Sequence, residues 1–211
     1  MINNVNELKQ QSGVKYYASL FGKSVIDESS NEYMIIKEIT KYLLESDFGV
    51  MHGGYVGGAM SAINDMATEI ITKNNLSPFL HIAVPQKDHD ENWERVKDAQ
   101  FTNTADDIFD RLRMITTSDI AIVLPKGGIG TQLEWTTVFH ENQIKEYLKR
   151  PVQPLIFFIT PDGTNWKEIV NNTLQNLDMK EQSSGSEWVY FVNSMELFKA
   201  TIKLLKKSMP V

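Results

Sequence analysis

The sequence predicts an α/β fold: a Rossmann-like doubly wound parallel sheet with helices on both faces. Three observations lead there. Short apolar runs alternate with segments whose apolar residues recur every three or four positions. The run from Ile120 to Leu124 is apolar throughout, as in a strand covered on both faces. Glycine-rich turns at Gly22, Gly53 and Gly127 each follow such a run. Parallel strands cannot be joined by a tight hairpin, so the alternation supplies the crossovers they need.

In chain order, Tyr16 to Phe21 is an apolar and aromatic run closed by Gly22-Lys23-Ser24, and reads as the first strand. From Ser30 to Leu44 the residues Ile35, Ile36, Ile39, Leu43 and Leu44 mark a helix with one buried face, broken at Asp47-Phe48-Gly49. Gly49 to His52 reads as the second strand, followed by a glycine cluster from Gly53 to Gly58 and a helix to about Lys73. Phe79 to Val84, closed by Pro85, is the third strand. Gln86 to Asn103 is charged and irregular, a surface excursion of the length that borders sites, with no element assigned. Thr104, Asp106 and Asp107 start a helix whose inner face carries Ile108, Leu112 and Ile115. Asp119 to Leu124 is the next strand, then a helix from about Thr131 to Leu148 and a strand from Pro154 to Thr160. Trp166 to Leu177, Trp188 to Asn193 and Met195 to Lys206 complete a helix, strand, helix tail. No repeat or linker divides the chain, so residues 1–211 are expected to form one domain.

Composition narrows the function. With 42% hydrophobic and 23% charged residues the chain is ordinary globular material. A net charge of -6 argues against a nucleic acid polymer as partner, yet a few backbone amides can still hold one nucleotide. The absence of cysteine excludes disulfides and thiolate chemistry. His52, His81, His89 and His140 show no ligand spacing, and no metal or organic cofactor is expected. Apolar runs such as Leu155 to Ile159 fall far short of the roughly 20 residues that cross a bilayer. Met1 to Gly13 is polar and has no secretory pattern, so the expectation is a cytoplasmic protein with no membrane partner.

The chemistry concentrates at Lys126-Gly127-Gly128-Ile129-Gly130-Thr131, between a strand and a helix. Three glycines there are expected to take positive φ angles, and Thr131 to stand at or near the N-cap. The first amides of the helix would then face an anion of phosphate type. Neither glycine cluster fits the dinucleotide or P-loop pattern. Glu134 follows Thr131 by three residues, which allows two readings: a capping-box glutamate, or a carboxylate at the mouth of the site. Arg111 is either a solvated partner of Asp107 or Asp110, or a forked phosphate donor.

Together these residues resemble the Lonely Guy family of nucleoside 5′-monophosphate phosphoribohydrolases, often labelled lysine decarboxylases. The family motif Pro-Gly-Gly-x-Gly-Thr-x-x-Glu is matched by Gly127 to Glu134, with Lys126 in place of the proline. Arg111, Met114, Ser118 and Asp119 are similar to an upstream family set. Counting back from Ser118 instead selects Asp110, and Arg113 is a second candidate for the arginine. Phe21-Gly22-Lys23-Ser24 and Gly53 to Met60 resemble two further turns, with Tyr55 where the family has glycine.

The resemblance implies hydrolysis of a nucleoside monophosphate to free base and ribose 5-phosphate. It casts Glu134 and Arg111 as catalytic, and Gly22, Lys23, Ser24, Gly53, Gly54, Gly127, Gly128, Ile129, Gly130 and Thr131 as the substrate cradle. It also implies a homodimer, formed by the helix carrying Trp135, Phe139 and Tyr147. The competing expectation is a non-catalytic protein of the same fold that binds a nucleotide or molybdenum cofactor.

Overall fold

The computed structural model describes residues 2, 4–89, 93–97, 99, 101–176 and 187–209. In chain order the elements are α1 (Val5–Ser12), β1 (Tyr16–Phe21), α2 (Asn31–Glu45), β2 (Phe48–His52), α3 (Gly58–Asn74), β3 (His81–Ala83) and β4 (Phe101–Thr102). They continue with α4 (Ile108–Ile115), β5 (Ile120–Val123), α5 (Ile129–Tyr147), β6 (Leu155–Phe158), α6 (Trp166–Asn176), β7 (Val189–Val192) and α7 (Met195–Ser208). The strands form one sheet in the order β4-β3-β2-β1-β5-β6-β7, and every pairing is parallel.

The chain winds outward from β1 to β4, crosses back through α4, and resumes at β5 on the other flank of β1. Winding therefore reverses between β1 and β5, where Ala18 pairs with Ile120 and Phe21 with Val123. Neighbouring connections diverge at such a point and leave a crevice beyond the strand carboxyl ends.

Strand side chains alternate between two cores. Tyr16, Ala18, Leu20, Ile120 and Ile122 pack under α2, α3 and α7. Tyr17, Phe21, Ala121, Val123 and Phe157 pack under α1, α4, α5 and α6. Helices thus cover both faces, and the central strands are apolar on both sides as expected.

The polar stretch before Gly13 holds a helix that the sequence reading leaves unassigned. Asn4 caps α1 by accepting from the Glu7 amide at 3.0 Å, and Gly13 ends it in the left-handed region at φ 71°. Val5 and Leu8 are its buried face, too few to show a period. In the excursion after Pro85, β4 forms and a 3₁₀ turn spans Lys87–His89. Within the tail, Leu177 lies outside the described residues.

Asp119 ties α1 to the sheet. Its Oδ2 accepts from the Tyr17 amide at 2.7 Å, and its Oδ1 meets Lys9 Nζ at 2.5 Å. Asp119→Ala should therefore destabilise the fold by about 2 kcal/mol, the range for a charged hydrogen bond whose partner stays unsatisfied. The expected observation is a lower urea midpoint at unchanged m; an unmoved midpoint would count against the clamp.

Candidate functional site

At the carboxyl edge of the sheet, three turns lock together. The Lys23 amide donates to the Lys126 carbonyl at 2.9 Å, and the Lys23 carbonyl accepts from the Ala59 amide at 2.9 Å. Gly22 sits so close to Ala59 and Leu124 that an added Cβ would lie 2.6 Å from the alanine methyl. Gly22, Lys23 and Ser24 thus join the β2 and β5 turns, with the Lys23 side chain exposed.

The two glycine clusters exchange the roles expected of them. Gly127, Gly128 and Gly130 do not take positive φ; those conformations fall on Gly54 (84°), Gly57 (119°) and Gly58 (49°). Gly127 is required by packing instead, since a Cβ would stand 2.2 Å from the Trp166 ring. Trp166 is fixed there by donating its indole N–H to the Leu124 carbonyl at 2.8 Å.

Gly128, rather than Thr131, is the N-cap of α5. Thr131 is buried, and its hydroxyl accepts from the Gly128 amide at 3.4 Å, while the Gly127 amide donates to Thr164 Oγ1 at 3.1 Å. These two amides are engaged within the protein. The first helical bond runs from Gln132 N–H to the Gly128 carbonyl at 2.9 Å, so Ile129, Gly130 and Thr131 carry the first-turn donors that a helix leaves open. Gly128 and Gly130 have open space where a Cβ would be, and Ile129 is 90% exposed. This is an accessible helix N-terminus of the kind that receives anions.

Glu134 lies on the second turn of α5, beyond the reach of a capping box, whose place Thr131 takes. Its Oε1 stands 3.6 Å from Arg111 Nη1, with side-chain exposures of 11% and 14% for the carboxylate and the guanidinium. Arg111 Nε also donates to the Val84 carbonyl at 3.1 Å. Arg113 is exposed and pairs with Asp110 at 3.1 Å, so Arg111 is the arginine that meets the glutamate. Gly53 admits that guanidinium: a Cβ there would be 2.3 Å from Arg111 Nη2 and 2.9 Å from Met60 Sδ. Burial pushes Glu134 up to about 7, with Arg111 opposing the rise. A carboxyl group so placed exchanges its proton near neutrality, as acid and base catalysts do.

Behind Arg111 two buried histidines touch. His52 Nδ1 accepts from the Gly54 amide at 3.2 Å, and His52 Nε2 lies 2.9 Å from His81 Nε2. The neutral tautomer that fits places the His52 proton on Nε2, pointing at His81. Burial, then His81 and Arg111, hold His52 well below its usual value, and burial lowers His81 to about 4. Among the described residues no three His, Asp or Glu side chains gather as a metal site.

The signature-like Ser118 and Asp119 are structural. Ser118 Oγ donates to the Ile120 carbonyl at 2.7 Å and receives Gln153 Nε2 at 3.0 Å, and Asp119 is the clamp on α1. Tyr55, the replacement for a family glycine, is buried; its hydroxyl receives the Gln86 amide at 2.7 Å and donates to the Gln86 carbonyl at 2.9 Å. That pair, with bonds from Val56 to Glu94 and from Val96 to Gly54, lays part of the excursion along the second glycine turn. A separate groove of about 360 Å³ at the β4 edge is lined, among the described residues, by Ile2, Gln11 and Phe101 to Thr104, none of them ionisable.

Sequence reasoning passes over Glu32 and Thr160. Glu32 Oε2 stands 3.5 Å from Lys126 Nζ, and its Oε1 accepts from Thr160 at 3.1 Å. The available signal was Lys126 itself, a half-buried cation that calls for a counter-ion.

The sequence matches no protein-family model and no curated protein. Solved structures do match. The molybdenum cofactor carrier protein of Chlamydomonas reinhardtii superposes with a TM-score of 0.58 at 15% identity, over 92% of this chain and 99% of that one. The molybdenum cofactor binding protein of Rippkaea orientalis gives 0.61 at 14% identity, over 93% and 98%. The fold is shared with molybdenum cofactor carriers. DNA processing protein A of Helicobacter pylori, a single-stranded DNA binder, also superposes at 0.56 with 11% identity, over 94% and 84%. At such identities the likeness establishes architecture, and the ligand has to be argued from the site.

The Glu134 value sets a pH signature. Its folded pKa lies above its ordinary 4.5, so its cost to stability is absent below pH 4.5 and grows as pH rises through 7. The stability of Glu134→Gln relative to wild type should therefore rise across that window by roughly 3 kcal/mol and level off above it. Urea titrations at a series of pH values test this, and a flat difference would reject the raised value.

Proposed function

We propose that the chain is a nucleoside 5′-monophosphate phosphoribohydrolase of the Lonely Guy type. The observation that carries the reading is the Arg111–Glu134 pair, brought from α4 and α5 to the same edge as the open first turn of α5. The 5′-phosphate would rest on the amides of Ile129, Gly130 and Thr131, which places the ribose toward Glu134. In the reaction the C1′–N bond breaks, water supplies the new C1′–O bond, and its proton passes to the departing base or solvent. As the base leaves, the sugar gains oxocarbenium character, which the Glu134 carboxylate stabilises while orienting water or the sugar hydroxyls. Arg111 clamps the nucleotide and keeps a fraction of Glu134 ionised at neutral pH. No step requires a metal or cofactor.

A second reading, a carrier of nucleotide or molybdenum cofactor without turnover, is favoured by the solved relatives. Incubation with AMP, CMP, GMP and UMP separates the two. The hydrolase reading expects free base from at least one, and a Glu134→Gln variant that binds nucleotide but turns over about 100-fold more slowly or less. Tight binding without base release from any of them would select the carrier.

The homodimer is part of the same proposal, with its surface redrawn. Trp135 and Phe139 belong to the core, at 1% and 7% exposure, and cannot be the contact. Ile129, Leu133, Ile144, Tyr147 and Leu148 are exposed along one side of α5 and are the apolar surface a second copy would cover. Tyr147→Glu should convert the dimer to monomer in sedimentation velocity; a monomeric wild type would remove the proposal.

A further inference from the structure

Two helices open onto the crevice between β1 and β5: α2, which follows β1, and α5, which follows β5. A bare helix start offers unpaired amides and a positive dipole end, so in principle the crevice has two anion positions. In dinucleotide-binding folds the pyrophosphate takes the helix after the first strand.

Here that helix is already occupied from within. Ser30 Oγ accepts from the Tyr33 amide at 3.2 Å, and Glu32 stands in the same first turn. Glu32 is 3% exposed, Thr160 donates to its Oε1 at 3.1 Å, and Lys126 Nζ lies 3.5 Å from its Oε2. Burial alone would raise Glu32, but hydrogen bonds to the carboxylate together with Lys126 outweigh it and hold the carboxyl below the usual range. The carboxylate is ionised, and it draws the one ammonium on the β5 turn toward α2.

We propose that Glu32 is a specificity-determining residue: its carboxylate, held by Lys126 and Thr160, fills the second anion position of the crevice and limits the ligand to a single phosphate group. The inference rests on the reading of the α5 turn as a phosphate site. It adds that diphosphates are excluded by an internal anion. A second phosphoryl group reaching toward α2 meets a negative charge where a dinucleotide binder offers bare amides, and Lys126 is not available to it.

The test compares inorganic phosphate with inorganic pyrophosphate by isothermal titration calorimetry, without divalent metal and at fixed ionic strength. Wild type should bind pyrophosphate no more than about threefold tighter than phosphate. Glu32→Gln, which keeps the acceptor for Thr160 but removes the charge, should tighten pyrophosphate by about tenfold or more and leave phosphate within about threefold. Adding Lys126→Met to that variant should abolish the gain. If Glu32→Gln shifts both probes alike, or neither, the assignment of Glu32 fails while the phosphate site stands. If wild type binds no phosphate at all, the reading of the α5 turn fails and takes this inference with it. The wild-type comparison does not depend on how the variant folds: pyrophosphate about tenfold tighter than phosphate would by itself overturn the proposal.

Discussion

Because every strand of the sheet points the same way, the turns that follow them crowd onto one edge, and everything chemical about this protein depends on that crowding. The carboxyl ends of β1, β2 and β5 deliver three glycine-bearing turns whose backbones bond directly to one another. Once they are locked, α4 and α5 can face each other across the edge, and Arg111 meets Glu134 with both side chains largely shielded from water. The paired charges remain compensated while burial makes the carboxyl proton exchangeable near neutrality.

How much of this is legible in sequence depends on whether a residue acts through its neighbours in the chain or across space. Strands such as Ile120 to Val123 and helices such as α2 announce themselves by period, because burial acts on each element's own pattern. The turn at Gly127 is visible as a glycine cluster. Its details are not: the ring that makes Gly127 necessary comes from Trp166, and the positive φ angles lie in the other cluster. Glu134 could be read as a cap or a catalyst until Thr131 was seen to take the capping role. Between Arg111 and Arg113 the choice turns on which one Gly53 and Val84 receive, a tertiary fact that spacing cannot supply.

The buried groups near the edge also oppose one another in acid. Glu134 favours the folded state as pH falls from 7 toward 4.5, because there the fold holds its proton more tightly than the open chain. His52 and His81 act the other way below about 6.5, because the fold keeps both neutral while the unfolded chain takes up protons. One carboxyl thus offsets part of the penalty of two imidazoles.

The close approach of Gly53 to Arg111 reaches beyond this molecule. A side chain at position 53 would occupy the volume of the guanidinium, so position 53 can gain one only where the arginine is lost or moved. Across diverging descendants such a contact leaves a correlated pair of substitutions rather than two independent ones. That paired signature identifies chains retaining the arginine in its pocket more selectively than the glycine turn, which unrelated phosphate binders also carry.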